Sequence, residues 1–147
     1  MLKKINTNFL YDIYCSIQDD YEKKWVKAEF IEFILKEYNI FILSEPNPVG
    51  YLKATTIKDQ MEIISFVIDK KYRSKGKGRA LLNKILVIAT YKKVNNIFLE
   101  VSVENKIAIE LYQKANFIKV GERKNYYNLN GRKIDANIMK LNLSRNF

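Results

Sequence analysis

From Ile63 to Leu82 the chain reads Ile63-Ile64-Ser65-Phe66-Val67-Ile68-Asp69-Lys70-Lys71-Tyr72-Arg73-Ser74-Lys75-Gly76-Lys77-Gly78-Arg79-Ala80-Leu81-Leu82. An apolar, β-branched run passes into a cationic loop and straight on into an amphipathic pattern. This restricts the chain to folds in which the end of a strand faces the start of a helix. Two of the five glycines lie in the loop, flanked by Arg73, Lys75, Lys77 and Arg79. The first N–H groups of a helix have no partner within it, and the helix dipole favours negative charge there, so the segment is expected to seat an anion, phosphate above all. Taken by itself, the same loop also reads as a solvated basic turn.

The remaining pattern places this unit in one α+β or mixed α/β layer. Residues Phe9 to Ile17 and Trp25 to Lys36 have helical spacing, with Val26, Phe30, Phe33 and Ile34 on one face. Trp25 is expected to anchor the core. Asn39 to Ser44, Gly50 to Ile57 and Met61 to Ile68 read as an antiparallel meander, with the Pro46-Asn47-Pro48 turn between the first two strands. After the glycine loop, Leu81, Ile85 and Ile88 form one stripe and Leu82, Leu86 and Ala89 the next, so the helix buries a broad face and ends near Tyr91-Lys92-Lys93. Asn96 to Val101 then follows as a strand parallel to the previous one, because a helix connects them. Asn105 stands where a cap is wanted, ahead of a helix from Lys106 to Ala115, and Asn116 stands where a left-handed residue ends one. Phe117 to Lys124 and Ile134 to Leu141 close the chain as strands joined through Asn130-Gly131.

Composition excludes several classes. A chain of 147 residues, 48% hydrophobic and 29% charged, is sized for one ordinary domain spanning 1–147. No apolar run approaches the ~20 residues of a spanning helix, so no membrane partner is expected. Lys3 and Lys4 precede Asn6, Asn8, Asp12 and Gln18, which interrupt any signal-peptide core, and a cytoplasmic location is expected. The only cysteine, Cys15, reads as a buried helix residue, and no metal-ligand cluster is visible. The chain has no histidine. Any base must therefore be a carboxylate, tyrosine, lysine or water. The formal charge of +10 suits polyanionic partners, although a general bias toward Lys, Asn and Ile would produce the same charge.

The string Arg73-Ser74-Lys75-Gly76-Lys77-Gly78 fits the [QR]-x-x-G-x-[GA] signature of the GCN5-related N-acetyltransferases, in the strand-to-helix context of that family. Leu99-Glu100-Val101, Asn105 to Tyr112, and Ala115-Asn116-Phe117 resemble the second half of its acetyl-CoA site, with Asn116 in place of a glycine. Arg123-Lys124-Asn125-Tyr126-Tyr127 and Asp135-Ala136-Asn137-Ile138-Met139 resemble the tail of the RimI-type alanine N-acetyltransferases of ribosomal proteins. These motifs cover residues 61 to 141, and the first 58 residues resemble the family only in layout.

The resemblance implies a mostly antiparallel mixed sheet of about six or seven strands with a splayed parallel pair at its centre, flanked by about four helices. It places acetyl-CoA, as acetyl donor and co-substrate, on Ser74, Lys75, Gly76, Lys77, Gly78 and Arg79, with Arg73 beside them. The pantetheine arm would lie along the main chain of Phe66, Val67 and Ile68, and Asn105 would contact the cofactor as well as cap its helix. Glu100 matches the acceptor of the amine proton and Tyr112 the donor to the departing thiolate, while Tyr126 and Tyr127 match an acceptor groove. Each has a plain structural reading too: a surface ion pair for Glu100, an aromatic packed on the sheet for Tyr112, a packed edge for the tyrosine pair.

The implied activity is acetylation of a protein N-terminus, in particular the N-terminal alanine of a small-subunit ribosomal protein, by direct transfer without metal. An α-amino group of pKa ~7.7–8.0 loses its proton more readily than a lysine at ~10.4. A monomer or weak dimer is expected, touching nucleic acid only through the ribosome. A lysine or small-molecule amine acceptor, and a basic nucleic-acid-binding module without activity, are the other readings.

Overall fold

Leu81, Leu82, Ile85 and Ala89 recur at helical spacing, and all are buried against one face of a sheet. That helix, the strand before it and the strand after it organise the computed structural model, which describes residues 6–145. Lys3 and Lys4 lie outside the described residues. In chain order the elements are α1 (Thr7–Ser16), α2 (Lys27–Ile34), β1 (Asn39–Leu43), β2 (Gly50–Ile57), β3 (Gln60–Ile68), α3 (Lys77–Tyr91), β4 (Asn96–Ser102), α4 (Lys106–Lys114), β5 (Ile118–Leu129) and β6 (Arg132–Asn142). The six strands form one sheet in the order β1-β2-β3-β4-β6-β5. All neighbours are antiparallel except β3 and β4.

Side chains alternate along each strand, so the sheet presents apolar residues to both sides. Leu52 and Ala54 of β2 join Met61, Ile63, Ile97 and Leu99 under α3 and α4. Tyr51 and Val67 face the other way, onto Tyr14, Ile17 and Phe30 of the α1–α2 side. None of the described helices is long and apolar enough to cross a membrane.

The expected meander, the helical crossover to a parallel strand, the Asn105 cap and the left-handed Asn116 (φ 71°) are all present. Several expectations need correction. Cys15 is exposed, not buried. Tyr14 and Ile17 take the inward positions of this turn, and Cys15 is rotated about 100° from Tyr14. Val26 is also exposed, because α2 begins only at Lys27. The closing strand β5 continues through Asn125, Tyr126 and Tyr127 to Leu129 instead of ending near Lys124.

The functional geometry comes from incomplete pairing. β3 and β4 are in register only from Gln60–Ile63 against Asn96–Leu99. Opposite Lys53 and Ala54 the β2–β3 register shifts and leaves Ile64 without a partner, a bulge that bends β3. Beyond it β3 stays with β2 to Ile68, while β4 stays with β6 to Ser102. The two central strands therefore part, and Ser65, Phe66 and Val67 line the opening.

Candidate functional site

At the end of β3, Asp69 accepts from its own turn at Lys71 N (3.0 Å) and from Gln18 N (3.0 Å), which ties the α1–α2 loop to the start of the cationic loop. Ser74 (φ 62°) and Gly76 (φ 77°) are both left-handed, and Gly76 directly precedes α3. A Cβ on Gly76 would meet nothing within 4 Å. The N–H groups of Lys77, Gly78 and Arg79 thus begin a helix beside open space, which fits a pyrophosphate. Gly78 differs. A Cβ there would point inward and meet Leu111 (3.5 Å), Ile68 (3.7 Å) and Phe66 (3.8 Å) at ordinary van der Waals distance, so the packing of α3 on β3 has room for one.

The loop cations are not all free for an anion. Arg73 folds back, donating from Nε to the Ile68 carbonyl (3.1 Å) and pairing with Asp19 (3.1 Å). Lys77 Nζ donates to the Glu45 carbonyl at 3.3 Å. Lys75 rests 5.7 Å from the Tyr72 ring, and Arg79 is exposed.

The opening between β3 and β4 is a cavity of about 360 Å³. Phe66, Val67, Glu100, Asn105 and Tyr112 line it, together with Tyr126 and Tyr127. Ile68 and the loop from Arg73 to Arg79 lie beyond it, at the end of β3. Asn105 accepts from Ala108 N at 3.2 Å and so caps α4 while lining the cavity. Tyr126 and Tyr127 come to the same cavity because β5 bulges. Between the pairs Arg123↔Ala136 and Tyr127↔Ile134, β5 holds three residues against Asp135 alone. Asp135 fixes the bulge by accepting from Asn125 N (2.9 Å) and Lys124 Nζ (3.1 Å).

Glu100, on β4, is paired with Arg123 Nε at 2.5 Å. Burial, followed by a hydrogen bond with Glu100, pushes the Tyr126 phenol up to about 12. The Tyr127 hydroxyl donates to the Glu100 carbonyl at 3.4 Å, and its ring meets Tyr126 and Tyr21 edge-on. Tyr112 is 4% exposed, its ring lying between Phe66 (6.0 Å) and Phe117 (5.7 Å). Burial raises its pKa well above the usual phenol value, with a smaller contribution from Tyr127. A carboxylate on one strand and a protonated phenol on α4 thus share one small cavity, as general base and general acid chemistry require.

Sequence reasoning missed the opposite wall. Glu22, Tyr21 and Asp19 of the α1–α2 loop, with Ser65 and Glu62 of β3, also line the cavity. The one available signal was an acidic run, Asp19-Asp20-Tyr21-Glu22, in an otherwise basic chain. Among the described residues no group of side chains suited to a metal ion is found.

Residues 8–117 match the acetyltransferase (GNAT) family, and the chain belongs to that family, whose members use acetyl-CoA. Among its relatives, the ribosomal protein bS18-alanine N-acetyltransferase of Escherichia coli (strain K12) is 29% identical over 121 residues, 82% of this chain and 82% of that protein. An uncharacterized protein of Mycobacterium leprae (strain TN) is 31% identical over 127 residues, 82% of this chain, and the match spans only 34% of that longer relative. Among solved structures, the ribosomal-protein-S18-alanine N-acetyltransferase from Escherichia coli has a TM-score of 0.82 at 23% identity, covering 96% of this chain and 92% of that one. Arabidopsis thaliana NAA60 in complex with acetyl-CoA has a TM-score of 0.73 at 18% identity, covering 95% and 94%. At these identities the structures share the fold.

Proposed function

We propose that this chain transfers the acetyl group of acetyl-CoA to the α-amino group of a protein N-terminus, with the N-terminal alanine of a small-subunit ribosomal protein as its acceptor. The observation that carries this reading is the shared cavity of Glu100, Tyr112, Tyr126 and Tyr127 between the parted strands. The relatives named for alanine N-acetylation support the choice of acceptor.

Bound acetyl-CoA supplies an activated acetyl thioester. The first N–H groups of α3 and the left-handed turn at Gly76 hold its pyrophosphate. The open main-chain edge from Ser65 to Ile68 pairs with the extended arm, as an added strand would. An N–H of that edge, near the bulge, steadies the charge that develops on the carbonyl oxygen. Glu100 takes a proton from the attacking amine, directly or through water, and Tyr112 returns one to the leaving sulfur. The phenol is still protonated at neutral pH, and because it is a weaker acid than a thiol of pKa ~8.5 its proton moves only as the C–S bond breaks, after which solvent reprotonates the phenolate. Transfer is direct within a ternary complex: the chain has no histidine, and its only cysteine is exposed on α1, outside the cavity lining. Tyr126 and Tyr127 form the groove wall for the acceptor backbone. The site of action is the cytoplasm, where such an acceptor is made.

Mass spectrometry of peptides with a free or a blocked N-terminal alanine, each also carrying a lysine, tests the acceptor. The expected product is a single acetyl group on the free N-terminus only. Equal acetylation of the blocked peptide would sink the α-amine assignment. Calorimetric titration with acetyl-CoA tests the cofactor, and absence of binding would sink the enzyme reading. Glu100→Gln should lower kcat most at neutral and lower pH, where the amine depends most on a base, with the KM for acetyl-CoA unchanged.

A further inference from the structure

The wall opposite Glu100 holds a second carboxylate that the mechanism above leaves unused. Glu22, in the α1–α2 loop, lines the cavity, and its side chain is 16% exposed. Three donors fix it. Lys53 Nζ pairs with Oε1 at 2.8 Å, Ser65 donates to Oε2 at 2.5 Å, and the Tyr51 hydroxyl donates to the same oxygen. Lys53 is fully buried on β2, with Trp25 3.4 Å from its ammonium and the Tyr14 hydroxyl 3.3 Å away. Lys24 extends the chain of contacts, donating to the Tyr51 hydroxyl at 2.7 Å.

Such a network is a poor device for stability alone. Burying a lysine and a carboxylate has a large desolvation cost, and apolar residues of equal volume in their place are often as stable or more so. What the network achieves is placement. A carboxylate on a loop is normally mobile, whereas this one is held from three directions beside the cavity. An ionised carboxylate can accept about four hydrogen bonds, and the protein supplies three donors to Glu22, which leaves one acceptor position on a residue that lines the cavity. Ser65, which helps hold it, is the first residue after the bulge that parts β3 from β4. The carboxylate therefore stands where the strands begin to separate, across from Glu100, which Arg123 already engages.

We infer that Glu22 is the docking carboxylate for the acceptor's amine: it accepts a hydrogen bond from the incoming ammonium and orients it between β3 and β4 before Glu100 takes the proton. Lys53 and Tyr51 are positioning residues that act only through Glu22. This inference rests on the proposed amine acetylation and names a specificity-determining group for it. The two acidic walls give an amine a charge-assisted contact that a neutral hydroxyl acceptor of the same shape would use far less well.

The test uses the full chain, acetyl-CoA and a peptide with a free N-terminal alanine, with the wild type assayed first. Glu22→Gln alone leaves Lys53 buried without its partner and can impair folding, so the informative variant is Glu22→Gln/Lys53→Met, which removes both charges. A thermal melt verifies that this variant is folded. The expected result is a peptide KM raised about tenfold or more, with the KM for acetyl-CoA unchanged and kcat within about threefold of wild type, since a charge-assisted contact is lost from the acceptor side only. In the presence of CoA, wild type should also bind the amine peptide at least about tenfold better than its desamino counterpart, and the double variant should lose that preference. An unchanged peptide KM in an active, folded double variant overturns the role of Glu22 and leaves the proposed function standing. No acetylation of the peptide by wild type overturns the proposed function, and this inference with it.

Discussion

Replacing Tyr112 by Phe separates chemistry from packing, because the proposed function gives its hydroxyl a task that its ring does not share. The ring is buried between Phe66 and Phe117 and stays in the Phe variant. The hydroxyl has no hydrogen-bond partner among the described residues, so its removal should change stability by less than about 1 kcal/mol. For a chain of this length that is a Tm shift of at most about 4 °C. General acid catalysis contributes roughly 10²–10⁴-fold. The thiolate is a good leaving group, only about 1.5 units more basic than neutral pH, which places the expected loss at the low end. We therefore expect kcat to fall about 100-fold, or about 2.7 kcal/mol at 1.36 kcal/mol per tenfold, with the KM for acetyl-CoA unchanged. The assay is thiol release with acetyl-CoA and an N-terminal alanine peptide from pH 6 to 10. Burial holds the Tyr112 phenol above its usual value, so wild-type kcat should show no descending limb from this group below about pH 10. A Phe variant with kcat within twofold of wild type would refute proton donation and reduce Tyr112 to a packing residue. A wild-type limb near pH 10 that disappears in the variant would refute the argument from burial.

The two loop glycines should respond differently. Gly76→Ala forces a side chain into φ 77°, at a cost of about 1–2 kcal/mol and a Tm loss of about 2–8 °C. The Cβ of Gly78→Ala meets only ordinary contacts at 3.5–3.8 Å, so its Tm should equal or exceed that of wild type. Thermal melts of both variants decide, and equal losses would contradict the geometry. Asp69 gives a pH prediction. The N–H of Gln18, then that of Lys71, lowers its carboxyl below 3.8, so the stability it adds is complete above that pH and is lost as pH falls through the lower folded value. Asp69→Asn should be less stable than wild type at pH 6 and converge with it as pH falls through the lowered folded value. Parallel melting curves across that range would show that these hydrogen bonds add nothing.

Local periodicity and turn chemistry determined much of this protein before any tertiary contact is considered. The apolar stripes of α3 run at helical spacing, Asn105 caps α4, Asn116 is left-handed, and a glycine precedes α3 at the end of the strand–loop unit, because each depends on residues a few positions apart. Glu100 and Tyr112 stand out only through the resemblance of their motifs to the acetyltransferase family, and Asn105 through that resemblance and its capping position. Short-range signals did not show that Arg73 turns back to Asp19, or that Gly78 faces inward toward Leu111, Ile68 and Phe66.

Tertiary structure decided where those residues meet. The bulge at Ile64 parts two strands that would otherwise pair along their length, and the bulge before Tyr127 turns the β5 tyrosines to the opening. Glu22 is brought to Ser65 across 43 positions of chain, and its ion pair buries a lysine that strand alternation alone would mark as solvent-facing. Bulges and long-range ion pairs depend on which chain segment lies alongside, and no periodicity encodes that. The cationic glycine loop is therefore readable in the sequence as a local motif, while the Glu22 wall of the cavity exists only once α1, α2 and β2 are packed against β3.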